Sequence, residues 1–263
     1  MFWVAVILGI VEGLTEFLPV SSTGHLIVTS RLLDFEGKRA EVFNIFIQLG
    51  AILAVVWEYR VKLTRIALDL PSKPRARGFV WNLAIAFLPA AIIGLLTHDF
   101  ISARLFSPFP VALALIAGAL LILLVEALPL PMRTTDTDSV SRPQALLIGI
   151  AQCLALWPGF SRSAATILGG MGAGLDRRSA TEFSFFLAIP TMFAATIYDL
   201  VKNFGALEPG DLFWLAVSFV ISFLVAWASV RWLLRYVSTH TFRLFAWYRL
   251  AFGVVILLVL YQT

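Results

Sequence analysis

Glu12-Gly13-Leu14-Thr15-Glu16-Phe17-Leu18-Pro19-Val20-Ser21-Ser22-Thr23-Gly24-His25 interrupts a stretch, about residues 3–30, that is otherwise apolar. A second apolar stretch, about 145–175, is broken in the same place by Pro158-Gly159-Phe160-Ser161-Arg162-Ser163. Each is long enough to cross a bilayer as one helix, which takes about 20 apolar residues. A proline beside a Ser/Thr/Gly cluster stops the helix near its middle instead. Broken helices at membrane depth are tolerated only where they line a polar cavity inside protein. Both stretches are therefore expected to be re-entrant helix–loop–helix hairpins.

The two hairpins are copies of one another. At an offset of 140 residues Leu8-Gly9-Ile10 meets Ile148-Gly149-Ile150, Glu12 meets Gln152, Phe17 meets Trp157, and Ser21 and Thr23 meet Ser161 and Ser163. Phe43 and Phe46 then fall on Phe183 and Phe186, and at a slightly shorter offset Gly118 falls on Gly253. Between and after the hairpins, six segments read as full spans: about 41–60, 79–98, 109–128, 181–200, 212–233 and 242–261. Punctuation such as Pro71-Ser72-Lys73-Pro74, Pro129-Leu130-Pro131 and Glu208-Pro209-Gly210 separates them. The expected fold is an all-α integral membrane domain over 1–263, with repeat one about 1–128 and repeat two about 143–263. Each repeat is a hairpin followed by three transmembrane helices. Because three is odd, the second repeat enters the membrane upside down, and inverted repeats place their site at the midplane between the broken helices.

Composition agrees: 60 % of the 263 residues are hydrophobic and only 14 % charged, too few charges to cover a water-soluble surface. Continuous apolar runs, rather than alternation, argue against a membrane β-barrel. The start Met1-Phe2-Trp3 lacks a basic region and reaches Glu12 quickly, so no cleaved signal peptide is expected. One cysteine, Cys153, rules out an internal disulfide or a cysteine metal cluster and is expected to be a small packed residue. The net charge of +4 is modest and its arginines lie in short loops, which suits topology and not nucleic-acid binding. Arg60, Lys62, Arg65, Lys73, Arg75 and Arg77 place the 60–78 loop in the cytoplasm and both termini in the periplasm. The segment with Glu208 and Asp211 then falls outside, in agreement, whereas Arg31, Lys38 and Arg39 on that side run against it.

Glu12 and Glu16 share a helix face inside apolar sequence. A carboxylate there is costly unless paired, protonated or bound to a cation, so function is the default reading. The pair suits a hard divalent cation, Mg²⁺ or Ca²⁺, with phosphate and water completing its shell; a structural ion pair with Arg162 is the plain alternative. Ser21, Ser22 and Thr23, at a turn opening a short helix, direct hydroxyls and backbone N–H groups toward an anion. They would otherwise be ordinary helix caps. His25, three residues after Ser22 and four after Ser21, is positioned to serve as general base or acid. Arg162, which keeps its charge, is suited to two phosphate oxygens, with Ser161, Ser163 and Thr166 adding hydroxyls. At matched positions Glu12 faces Gln152, Ser22 faces Arg162 and His25 faces Ala165, so one hairpin keeps acid, base and metal groups and the other keeps the anion clamp. Gln48 is a candidate to reach the site or, equally, to bond between helices. Glu126 and Asp199, at span ends, are expected to be solvated. Trp81, Trp214, Trp227, Trp232 and Trp247 are expected at interfaces or in packing. His98 and His240 receive no role.

At these residues the chain resembles the bacitracin-resistance type of undecaprenyl-pyrophosphate phosphatase. The matching blocks are Glu12 to His25, Pro158-Gly159-Phe160-Ser161-Arg162-Ser163-Ala164-Ala165-Thr166, and the span Ile47-Gln48-Leu49-Gly50-Ala51-Ile52-Leu53-Ala54-Val55. The resemblance covers essentially the whole chain, with no departure at a motif position. It implies removal of the terminal phosphate of undecaprenyl pyrophosphate, returning the lipid carrier to peptidoglycan synthesis and conferring bacitracin resistance. It further implies dependence on a divalent metal, a plasma-membrane location with the site open to the periplasm, and a catalytic core of Glu12, Glu16, Ser22, His25 and Arg162. The expected partners are the polyprenyl pyrophosphate substrate and membrane lipid. A homodimer stays open, and no nucleic acid is expected. Ser22 activated by His25, or water activated by His25 or Glu16, would make the attack. The competing reading is a transporter or flippase of the lipid carrier, an architecture that also uses inverted repeats with broken helices. Transport alone would not require the asymmetric acid, histidine and arginine set.

Overall fold

A computed structural model describes residues 1–203 and 211–262; of 199–203 and 262 only the backbone is described. The described residues form eleven α-helices and no β-strand. These are α1 (Phe2–Thr15), α2 (Ser22–Leu32), α3 (Lys38–Glu58), α4 (Arg60–Asp69), α5 (Pro74–Arg104) and α6 (Pro108–Ala127), followed by α7 (Arg142–Gln152), α8 (Arg162–Gly172), α9 (Arg177–Asn203), α10 (Asp211–Val237) and α11 (Arg243–Gln262). Six of them, α3, α5, α6, α9, α10 and α11, are long and apolar enough to cross a membrane, and each encloses one expected span to within two residues. The chain is a multi-pass membrane protein, with backbone groups satisfied inside each helix as hydrocarbon requires.

Both interrupted stretches are helix–turn–helix units. α1 and α2 are joined by a turn over 16–21, and α7 and α8 by the short 3₁₀ turn Cys153–Leu156 and the loop after it. The caps of the two return helices are alike in detail. Ser21 has φ +74° and ψ +98°, Ser161 has φ +77° and ψ +114°, and each side chain accepts the N–H three residues on. Left-handed backbone at a non-glycine residue costs about 1–3 kcal/mol and persists only where surrounding contacts over-determine it. Its recurrence at the repeat offset marks both turns as built features.

The entry helices pack alike too. A methyl group added at Gly9 would sit 2.7 Å from Ser218 O of α10, and one at Gly149 would sit 2.6 Å from Ala86 O of α5. Small residues let membrane helices approach backbone to backbone, where lipid supplies no hydrophobic drive. α3 and α9, which follow the two hairpins, are the most enclosed spans, each with over half of its apolar window buried. The outer faces of α5 and α11 expose Trp81, Leu95, Leu96, Val255 and Leu258.

Three expectations are corrected. The 60–78 segment is not a plain loop, because Arg60–Asp69 contains no breaker before Pro71 and forms α4. Glu126 is not a solvated terminus: its carboxylate is buried and accepts from Arg177 Nε at 3.0 Å, Arg177 Nη2 at 2.5 Å and the Phe242 N–H at 2.8 Å. Asp211 opens no exposed loop but is buried and ion-paired with Arg39. Glu208-Pro209-Gly210 and the side chain of Asp199 lie outside the described residues. Cys153 is half-buried, with Sγ 3.5 Å from Gly149 O.

Candidate active site

α1 keeps helical geometry through Glu16, whose N–H donates to Glu12 O at 2.9 Å. The two carboxylates are therefore stacked one turn apart, and both are buried. The turn over 16–21 then brings the chain back, so that Ser22, first residue of α2, donates its hydroxyl to Glu16 Oε2 in a short hydrogen bond. Arg162, first residue of α8, reaches the same carboxylate from the other hairpin. Its Nη2 lies 3.3 Å from Glu16 Oε1, and its Nη1 lies 3.1 Å from Ser184 O of α9. Glu16 thus stands between Ser22 and Arg162, one oxygen toward each.

Two sets of polar atoms at this point are buried with nothing to bond. Neither carboxylate oxygen of Glu12 has a hydrogen-bond partner, and neither does Arg162 Nε. Buried polar atoms without partners are expensive, so the Glu12 carboxylate suits a cation or proton and Arg162 Nε, on a guanidinium already paired with Glu16, suits a further acceptor. Gln152, 140 residues on in the sequence, makes the contrast plain. Gln152 accepts from Thr191 at 3.3 Å and donates to Ala86 O at 3.4 Å, so it is structural where Glu12 is open. Among the described residues no three His, Cys, Asp or Glu side chains gather into a metal cluster. Glu12 and Glu16 offer two carboxylates only. That donor set fits a cation such as Mg²⁺, which is held by one or two carboxylates plus substrate phosphates and not by an all-protein cage.

The other candidate residues divide by what they touch. Ser21 Oγ accepts from Gly24 N–H and Ser161 Oγ from Ala164 N–H, so each caps its helix. Ser163 Oγ donates to Leu18 O at 2.9 Å and so ties one turn to the other. Thr166 donates its hydroxyl to Arg162 O within α8 and shares a hydrogen bond with the Ser184 hydroxyl, 2.6 Å away, bracing the helix that carries Arg162. Thr23 is half-buried in the first turn of α2. Gln48 accepts from Thr196 at 3.5 Å, an interhelical bond. His25 is not paired with Ser22. Its Nδ1 lies 2.7 Å from Ser21 O and its Nε2 2.7 Å from Tyr248 Oη, with Phe252 stacked on the ring at 4.4 Å. A carbonyl oxygen only accepts, so Nδ1 carries the proton, and Nε2 of the neutral ring accepts from the tyrosine.

The family model described as Bacitracin resistance protein BacA matches residues 5–255. The chain belongs to this family. It is 57 % identical over 256 residues to the undecaprenyl-diphosphatase of Nitrosospira multiformis, covering 97 % of this chain and 94 % of that one. It is 58 % identical over 255 residues to undecaprenyl-diphosphatase 2 of Rhodospirillum rubrum, covering 96 % and 93 %. With undecaprenyl-diphosphatase 1 of Paraburkholderia xenovorans it shares 54 % identity over 263 residues, covering 98 % and 95 %.

α11 supplies two residues that sequence reasoning missed, Tyr248 and Arg249. Tyr248 meets His25 as described. Arg249 is fully buried and donates to five backbone carbonyls on three segments of the fold. A signal for it existed: an arginine within the apolar run 242–261 is an intramembrane charge, which is a functional hypothesis by default.

Proposed function

We propose that this chain hydrolyses undecaprenyl pyrophosphate to undecaprenyl phosphate and inorganic phosphate, recycling the lipid carrier for peptidoglycan synthesis and so conferring bacitracin resistance. One observation carries the reading: a serine hydroxyl and an arginine converge on Glu16, a carboxylate able to take the hydroxyl's proton, beside a buried carboxylate and a guanidinium nitrogen that both lack partners. The names borne by relatives more than half identical along nearly the whole chain support it. Transport alone gives no use for a hydroxyl held against a carboxylate.

The chain's own groups perform the following steps. Arg162 and the N–H groups opening α2 and α8 receive the terminal phosphate and set it in line with Ser22. Ser22 Oγ attacks phosphorus while Glu16 takes the hydroxyl proton, and the bond to the bridging oxygen breaks, releasing undecaprenyl phosphate. Glu16 gives that proton up to the departing phosphate; water then attacks the phosphoserine, Glu16 takes the water's proton, and the Ser22 oxygen leaves with it, restoring the hydroxyl and the carboxylate while inorganic phosphate is released. His25 holds Ser21 O through Nδ1 and so fixes the turn that presents Ser22; it also sets a proton-accepting Nε2 and Tyr248 at the more open side of the site. Glu12 and Glu16 are the residues that would hold Mg²⁺ or Ca²⁺, which when bound would supply positive charge to offset that of the transferring phosphoryl group.

The reading includes the membrane arrangement. The hairpins are re-entrant, the two repeats are inverted, and the site opens to the periplasm from the plasma membrane of the bacterium. The like caps at Ser21 and Ser161, the like packing of Gly9 and Gly149, and the basic 60–78 segment support this. The test is phosphate release from undecaprenyl pyrophosphate by purified protein in detergent, first with a chelator and then with Mg²⁺ or Ca²⁺ restored. Metal-dependent release, weakened in Glu12→Gln at limiting metal, is the expected outcome. A folded protein that releases nothing under any divalent ion overturns the reading in favour of carrier transport, and full turnover under chelation removes the cation from it.

A further inference from the structure

We infer that Arg249 is a positioning residue for this hydrolysis: a clamp on α11 that holds the turns of both broken helices in register, so that Ser22–Glu16 and Arg162 meet. The inference rests on the proposed reaction and deepens it.

The guanidinium is spread over the join between the repeats. Nη1 donates to Pro19 O of the first turn at 3.3 Å, and Nη2 to Gly159 O at 3.2 Å and Phe160 O at 2.7 Å of the second. Nε and Nη2 also donate to Leu115 O and Ala114 O of α6, each at 3.3 Å. Among the described residues its hydrogen-bond partners are carbonyl oxygens and no carboxylate. A charge at this depth is costly and is retained only with full hydrogen bonding. The space for it is prepared: Gly118 of α6 lies so close that a side-chain carbon there would overlap the guanidinium.

The bonds fall at the places that most need holding. Pro19 precedes the left-handed Ser21 by two residues, and Gly159, itself at φ +97°, precedes the left-handed Ser161 by two. Such backbone survives only when neighbouring contacts over-determine it. The residues immediately after these two serines are Ser22 and Arg162. Direct bonds between the turns are few: Ser163 to Leu18, and the ion pair of Arg162 with Glu16. Arg249 adds a rigid planar fork reaching both sides at once, which a lysine ammonium cannot reproduce. A loosened clamp lets nucleophile and anion clamp drift apart, and a 1 Å misplacement costs about 10²-fold in rate.

The experiment compares wild type, Arg249→Met, Arg249→Lys and Gly118→Ala in phosphate release and in amide hydrogen exchange over residues 18–24 and 158–164. For Arg249→Met, kcat is expected to fall about 100-fold while KM moves by less than about threefold, because Arg249 orients the groups that act and does not touch substrate. Exchange should quicken in both turns together, with the spans unchanged. Arg249→Lys should recover part of kcat, and Gly118→Ala, which crowds the guanidinium, should reproduce the pattern from a residue outside the site. Wild-type kcat in Arg249→Met, or a lost kcat with unaltered exchange in both turns, overturns the clamp. Should Arg249→Met fail to fold, Gly118→Ala decides by the same two readouts. Absence of release by wild type would sink the proposed reaction, while the exchange of the two turns would still report on the clamp.

Discussion

Glu16→Gln separates the two groups that could take the proton of Ser22. In the folded protein the carboxylate accepts twice, from the Ser22 hydroxyl at Oε2 and from Arg162 Nη2 at Oε1. A glutamine has the same shape but one accepting end. With its oxygen toward Ser22, its NH₂ faces the guanidinium, donor against donor; with its oxygen toward Arg162, its NH₂ faces the serine and no acceptor for the proton is left. Either way the general base is lost, an effect worth about 10²–10⁴-fold, which at about 1.36 kcal/mol per decade is roughly 3–5 kcal/mol on the barrier. We expect kcat for phosphate release to fall by that factor, with the variant still folded by thermal unfolding in detergent. His25→Gln serves as the control. It leaves the Ser22–Glu16 bond in place and removes the hold on Ser21 O, the contact with Tyr248 and the stacking of Phe252, so its loss should be smaller than that of Glu16→Gln. A Glu16→Gln enzyme that keeps more than a tenth of wild-type kcat, or a His25 variant that is the more damaged of the two, refutes the assignment of the base.

Two further outcomes test the fold. Glu126→Gln keeps one oxygen for the Phe242 N–H and Arg177 Nε but removes the negative charge and sets an NH₂ donor against Arg177 Nη2; breaking a buried ion pair costs about 3–5 kcal/mol, so thermal stability should drop sharply while the folded fraction keeps wild-type kcat. Gly13→Ala places a methyl 2.8 Å from Ser222 O and 2.9 Å from Ala226 N, prying α1 from α10; overpacking of this kind costs about 1–3 kcal/mol, read as a lowered unfolding temperature, and an unchanged temperature would mean that the two helices separate freely.

Much of this arrangement is legible in one dimension because it follows from local rules. The six spans follow from the length of each apolar run, and the two interruptions from Pro19 and Pro158 with their serine clusters. Glu12, Glu16 and Arg162 stand out because charge in apolar sequence is expensive anywhere. The same rule applied to Arg249 and Glu126 would have found both. Arg249 was passed over because no motif surrounds it, and Glu126 because its place near a span end suggested water.

By itself, then, the sequence determined the class, the number of spans and most of the polar residues that gather at the candidate site, since these depend on hydrophobic run length, on backbone groups that must be satisfied within their own helix, and on residue charge. Only the tertiary structure decided which atoms meet. Helical spacing puts His25 within reach of Ser22, yet the turn at Ser21 sends the imidazole to Ser21 O and Tyr248 and gives Ser22 to Glu16. Arg162 reaches Glu16 from 146 residues away, and Arg249 reaches Pro19 from 230. Such pairings depend on orientations of a few tenths of an ångström between segments joined by long stretches of chain, because a hydrogen bond is lost over about half an ångström and a few tens of degrees.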